Sequence, residues 1–107
     1  MMTKHIDKFI ICINEARYFD AHETLEEVWF PRRFEDDDEM NLIKGFINAA
    51  VSFELIKRGR REPSKRVWKN YEKYKVLIGS FESPYNGRYQ ELSQFLEQKR
   101  EQLIQKQ

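Results

Sequence analysis

Residues 38–58 read DEMNLIKGFINAAVSFELIKR, and this stretch decides the fold. Its apolar residues are Met40, Leu42, Ile43, Phe46, Ile47, Ala49, Ala50, Val51, Phe53, Leu55 and Ile56. Wound into a helix they cover nearly every side, and a helix apolar all round is one that other elements enclose. A central, buried helix over 38–58 is therefore expected. The aspartates before it cap and charge its start, where negative groups suit the helix dipole. Lys57 and Arg58 close it, and Gly59 supplies a left-handed terminator.

Four further helices are read outward from this one. Toward the N-terminus, RRFEDDDE (32–39) forms a charged loop, and Pro31 stops the preceding helix near Trp29 or Phe30 because the residue before proline is pushed out of the α region. That helix, 20–30, opens at Asp20, which with Glu23 predicts a capping box. Tyr18 and Phe19 turn the chain, and a first helix over 4–17 carries Ile6, Phe9, Ile10, Ile13 and Ala16, with Thr3 as N-cap. Toward the C-terminus, Pro63 or Ser64 opens a helix over 64–78 that ends at Gly79. A loop to Gly87 follows, then a helix over 88–104. Without strand alternation or internal repeat, the expectation is an all-α fold, a compact array or bundle of about five helices in a single domain, 1–107.

Composition agrees. At 107 residues, 40% hydrophobic and 35% charged, the chain has room for one core. Eight Phe, five Tyr and two Trp supply core area that the aliphatic residues would not. Cys12 is the only cysteine, so no intrachain disulfide forms, and a reducing compartment fits. No signal segment and no stretch long enough to cross a bilayer is read, so the expected location is cytoplasmic.

Three features bear on function. On the second helix, His22, Glu26 and Trp29 stand at i, i+4 and i+7, with Glu23 and Glu27 in a parallel row. An imidazole beside carboxylates suits a divalent metal or acid–base chemistry. Glu26, however, occupies the place where a zincin helix carries its second histidine, so His22 and Glu26 give two ligands at most. The simpler reading is a neutral His22 bonded to Glu26, with Trp29 in the core. On the third helix, Asn41, Gly45, Asn48 and Ser52 form a row of small or polar residues, and Glu54 interrupts the apolar surface. Gly45 admits a neighbouring helix or a ligand, since glycine costs about 1 kcal/mol in a helix relative to alanine. His22, Glu23, Glu26, Trp29, Gly45, Asn48 and Glu54 together define a polar seam between the second and third helices, either a pocket or a satisfied network. In a buried network, His22→Ala costs about 1–3 kcal/mol. The third feature is charge segregation. Residues 35–39 are acidic, whereas Lys57, Arg58, Arg60, Arg61, Lys65, Arg66 and Lys69 are basic. The basic segment 57–69 could hold phosphates, as in RNA binding, or pair with the acidic run of a second copy in a homodimer.

The stretches YFDAHETLEEVW (18–29) and IKGFINAAVSFELIKRG (43–59) resemble the family catalogued as domain of unknown function 309 (DUF309). Its hallmark is an Ala-His-Glu-x-x-Glu-x-x-Trp helix followed by a Gly-x-Ile-x-x-Ala helix ending in Arg-Gly. The match falls on Ala21, His22, Glu23, Glu26 and Trp29, then on Gly45, Ile47, Ala50, Arg58 and Gly59. The resemblance implies a small all-α fold with these helices packed together, and no established activity. Asn48 replaces a frequent glutamine, and Glu54-Leu55 fall where members often carry histidine. The helix opened by Pro63-Ser64 lacks the family's Gly-Ala.

The expected function is binding of a small ligand or protein partner through the seam. Two alternatives stand beside it: a metal-assisted hydrolase ligating through His22 and Glu26, with Glu23 or Glu54 as base, and RNA binding through Arg60, Arg61, Lys65 and Arg66. No cofactor is required by any motif, though a divalent metal fits the second reading.

Overall fold

A computed structural model describes residues 2–106. Five helices follow one another: α1 (Met2–Asn14), α2 (Tyr18–Trp29), α3 (Asp38–Lys57), α4 (Arg61–Lys75) and α5 (Asn86–Gln105). A short 3-10 turn, Phe30–Arg32, extends α2, and no strand occurs among the described residues. As its composition predicts, α3 is the centre. It packs mainly on α4 and α2, with α1 against α2 and α5 reaching α3. None of the described helices is long and apolar enough to cross a membrane.

Local signals explain most boundaries. Asp37 is the N-cap of α3, its carboxylate accepting from the Glu39 N–H at 3.0 Å. At the other end, Gly59 (φ 75°) ends α3 in a Schellman motif. Its N–H donates to Ile56 O at 2.9 Å, and Arg60 N–H donates to Leu55 O at 2.8 Å. Pro31 falls in the first turn of the 3-10 segment, as its missing N–H allows.

Other boundaries differ from expectation. α1 is already under way at Met2, so Thr3 lies inside it rather than capping it. α2 begins at Tyr18, not Asp20, and no side chain caps it. Packing overrides the capping box: Tyr18 is buried, its ring edge-on to Phe53 at 5.7 Å, which draws the helix back by two residues. Asp20 then lies within the first turn and accepts from Arg17 at 3.0 Å. The chain turns at residues 15–17 instead. There Arg17 N–H donates to Cys12 O at 2.8 Å and Ala16 N–H to Ile13 O at 3.0 Å, with Ala16 at φ 59°. α1 thus ends in the same motif as α3, with alanine in the position that favours glycine. Replacing Ala16 by Gly is expected to raise stability by about 0.5–1 kcal/mol, since the left-handed strain relieved exceeds the glycine's added unfolded-state entropy. Urea denaturation measures this, and an unchanged midpoint would contradict it.

α4 starts at Arg61, with Pro63 in its first turn, and ends at Lys75. Tighter i to i+3 turns then carry the chain through Ile78 to Gly79 (φ 83°), so the regular helix stops before the glycine. α5 begins at Asn86, and Gly87 lies in its first turn.

An aromatic chain runs through the core. Phe53 meets Tyr18 of α2 and stacks on Trp68 of α4 at 5.9 Å, and Trp68 meets Tyr71 at 4.4 Å. Phe46 joins Tyr71 to Tyr89 of α5. These rings bind four helices together and account for the heavy use of aromatic residues.

Candidate functional site

α2 turns Tyr18, Ala21, Thr24 and Leu25 inward, at steps of three, three and one. Helical geometry then places Phe19, His22, Glu23, Glu26 and Phe30 on the outer side at i, i+3, i+4, i+7 and i+11. Phe19 is 56% exposed and Phe30 51%, so two aromatic rings bracket a polar centre. The Phe19 ring stands edge-on to His22 at 5.8 Å. His22 Nε2 pairs with Glu26 Oε1 along the helix. Glu23, Glu26, Glu27 and Phe30 line a shallow depression of about 300 Å³. Glu23 is exposed and makes no ion pair among the described residues. Beyond Phe30, the Arg33 guanidinium lies 3.7 Å from its ring centre and 4.5 Å from that of Phe34, which is 89% exposed.

The seven residues of the expected seam do not meet. His22, Glu23 and Glu26 share the outer face of α2. Trp29 is half-buried, with Lys44 of α3 5.9 Å from its ring. Gly45 faces α4, where a Cβ would come 2.8 Å from Tyr74 Cβ, so the close neighbour is a helix and not a ligand. Asn48 accepts from Asn70 of α4 at 3.2 Å and donates to Lys44 O at 2.8 Å. Glu54 pairs with Arg58 at 2.7 Å. The polar row of α3 therefore serves the α3–α4 contact. Across α2–α3, Lys44 lies over Trp29 and Lys57 over Tyr18, each 5.9 Å from the ring centre, and each polar group finds its own partner instead of joining one network.

The other histidine, His5, is half-buried, and its Nε2 lies 3.2 Å from Glu27 Oε1. Both histidines thus meet α2 carboxylates. Among the described residues no three His, Cys, Asp or Glu side chains gather as a metal would need. The His22–Glu26 pair is partly exposed, and pairs of this i, i+4 kind contribute about 0.3–0.5 kcal/mol. His22→Ala is accordingly expected to change stability by less than about 1 kcal/mol, not the 1–3 kcal/mol of a buried network. A chemical denaturation curve decides between them.

In the basic segment, Lys65, Arg66 and Lys69 are exposed, but Trp68 and Tyr71 are buried. The aromatic rings between the cations belong to the core and offer no stacking surface for bases.

A second polar cluster, unread in the sequence, joins α4 to α5. The buried Tyr71 hydroxyl donates to Glu97 Oε2 at 2.8 Å and lies 2.5 Å from Ser93 Oγ. Lys75 Nζ is 2.5 Å from the same carboxylate oxygen. Burial pushes the Tyr71 hydroxyl up. Burial also pushes the Glu97 carboxyl up, but Lys75, Tyr71 and Ser93 together outweigh it and hold Glu97 below its ordinary value. The depressed value means that Glu97 adds stability above the usual carboxylate range and loses it as pH falls through the folded-state value. Glu97→Gln should therefore flatten the acid limb of the stability–pH curve, and an unchanged limb would contradict the pairing. The spacing of Tyr71 and Lys75 at i, i+4 and of Ser93 and Glu97 at i, i+4 was the available signal, but only tertiary structure shows that the two pairs face each other.

Phe19 and Phe30 were also missed, because a turn and a proline boundary explained them. Their i, i+11 spacing about Glu23 and Glu26 is the pattern that marks them.

The model of the family described as domain of unknown function (DUF309) matches residues 6–67, which include the whole outer face of α2. No curated protein and no solved structure matches the chain.

Proposed function

The chain belongs to the DUF309 family, and from that premise we propose that it is a small helical adaptor that docks a basic, partly apolar segment of a protein partner on the outer face of α2. The family description states no activity, so the reading rests on the face itself. The observation that carries it is the pair of half-exposed rings, Phe19 and Phe30, bracketing the carboxylates of Glu23 and Glu26 on one helix face. Exposed aromatic residues grouped on one face mark association surfaces, and aromatic anchors supply most of the binding energy at such surfaces. Carboxylates between them favour a cationic partner and repel an acidic one. Glu23 has no cation of its own chain among the described residues, and a partner lysine or arginine would supply one. The reading places the chain in the cytoplasm, supported by the lone, buried, unpaired Cys12.

The test is fluorescence anisotropy with a labelled lysine–leucine peptide designed as an amphipathic helix. Binding should weaken by about tenfold or more in Phe19→Ala/Phe30→Ala, since each buried aromatic anchor contributes at least 1 kcal/mol. It should weaken comparably in Glu23→Lys/Glu26→Lys and little in Glu82→Lys/Glu91→Lys, which changes the net charge equally elsewhere. Equal losses in both charge variants would reduce the effect to bulk charge and end the reading. A second copy docking its own segment 57–69 would appear as a concentration-dependent dimer. If Glu23→Lys/Glu26→Lys left that dimer intact, the contact would lie elsewhere.

A further inference from the structure

α3 and α4 lie side by side in opposite directions, and three contacts fix their register. Gly45 meets Tyr74 Cβ, Asn48 accepts from Asn70, and the Ser64 hydroxyl donates to Ser52 O. The register decides which charges the pair turns outward. Arg66, Asn70 and Lys73 stand at i, i+4 and i+7 of α4, so both cations share the edge that Asn70 marks as facing α3. Lys69, one turn before Lys73, adjoins them. From α3, the Lys44 ammonium reaches the same edge, 5.9 Å from the Tyr74 ring centre and 5.9 Å from that of Trp29 at the border with α2. Lys73 lies 5.2 Å from the same Tyr74 ring. All four cationic residues are exposed, and the two rings are half-buried.

No carboxylate answers these cations. Among the described residues, none of Lys44, Arg66, Lys69 and Lys73 takes part in an ion pair. The acidic residues of the two helices are held elsewhere. Asp38 stands at the start of α3, and Glu39 accepts from Ser83 and Tyr89. Glu54 pairs with Arg58 and Glu62 with Lys65. Glu72 lines the depression between α4 and α5 with Glu97 and Arg100. On the neighbouring helix, Glu26 pairs with His22. Lys44 and Lys73 thus gather like charge around one ring, and only an anion from outside the chain can relieve it.

The rings narrow the class of anion. Cations beside aromatic faces are the combination that holds a single strand, with phosphates on the cations and bases against the rings. We propose that the α3–α4 face binds single-stranded nucleic acid, with Lys44, Arg66, Lys69 and Lys73 on the phosphates and the Tyr74 and Trp29 rings against the bases. Trp68 and Tyr71, the rings within and beside the basic segment 57–69, are sealed in the core and take no part. The residues that carry the proposal lie outside the α2 docking face, so it stands without that reading.

The test is fluorescence anisotropy of the full chain with a labelled oligouridylate of about 12 nucleotides, within the site size of single-strand binders. The log–log slope of affinity against salt should be about −2 to −3, the value for three or four phosphates of a single strand. Lys44→Gln/Lys73→Gln should weaken binding about tenfold or more and flatten that slope by about 1.4. Lys4→Gln/Lys8→Gln, which removes the same charge from exposed positions of α1, should leave binding nearly unchanged. Tyr74→Leu keeps every cation and should weaken binding about fivefold or more, the share of one stacked base. The lysine positions are exposed and keep the fold, so they decide the matter even where Tyr74→Leu unfolds. Equal losses in the two lysine pairs, no loss in Lys44→Gln/Lys73→Gln, or full affinity in a folded Tyr74→Leu overturns the proposal. So does displacement of the strand by an unlabelled oligoglutamate at lower concentration, which would make the face a site for acidic peptides.

Discussion

Phe53→Ala is expected to lower stability by about 3–5 kcal/mol, the cost of removing a buried phenyl ring and leaving its space unfilled. Phe53 is inaccessible to solvent and lies midway between two rings on different helices, edge-on to Tyr18 and stacked on Trp68. Its loss removes both contacts at once, and neither neighbour can close the gap without abandoning its own partner. Trp68 is held by Tyr71 at 4.4 Å, and Tyr18 is fixed at the start of α2. A domain of this size is stable by only about 5–15 kcal/mol, so the variant should sit near the edge of folding. The midpoint of thermal unfolding should fall by at least about 12 °C. Phe53→Leu, which keeps most of the volume, should cost far less. A loss below about 1.5 kcal/mol in Phe53→Ala would mean that the site collapses freely and that the aromatic chain does not hold α2 and α4 to α3.

Gly45→Val is expected to cost about 3 kcal/mol, because any Cβ at this position strikes α4. The obstacle is Tyr74 Cβ at 2.8 Å, an atom fixed to the backbone and unable to swing away as a side-chain tip would. Relief requires α3 and α4 to separate, which loosens the largest helix contact in the molecule. The opposing gain in helix propensity is at most about 1 kcal/mol, so Gly45→Ala should also destabilise, though less. Truncating Tyr74 to Ala leaves the offending atom in place and should not rescue Gly45→Ala. A double-mutant cycle therefore tests the geometry. Rescue by Tyr74→Ala would place the clash on the ring instead.

Gly45 also shows how far the sequence can be read. The row Asn41, Gly45, Asn48 and Ser52 marked one face of α3 as unusual, and that was correct. It could not say which neighbour the face meets, because spacing along one helix carries no information about the element across from it. The assignment to α2 followed from the polar residues available there, and the structure assigns the row to α4 through Tyr74, Asn70 and the Ser64 bond to Ser52 O. Similarly, the all-round apolar character of α3 identified it as central without showing its order of neighbours.

Helix ends divide along the same line. Gly59 and Asp37 are local signals with local causes, and both act where the residues predict. Ala16 ends α1 in the same left-handed geometry as Gly59, but an alanine carries no such mark. The Asp20–Glu23 pair is a correct local signal that the burial of Tyr18 outweighs. On the candidate site, His22 and Glu26 were legible as a pair from their spacing. Their position on an exposed face depends on which side of α2 meets α1 and α3. The rings of Phe19 and Phe30 gain meaning only once that side is known.

On the proposed function, the outer face of α2 receives a basic partner segment. The most direct measurement is an amide chemical-shift titration of the full chain with the unlabelled lysine–leucine amphipathic peptide. Shifts are expected to centre on Phe19, His22, Glu23, Glu26 and Phe30 and to be lost in Phe19→Ala/Phe30→Ala. Shifts centred elsewhere, or retained in that variant, would contradict it.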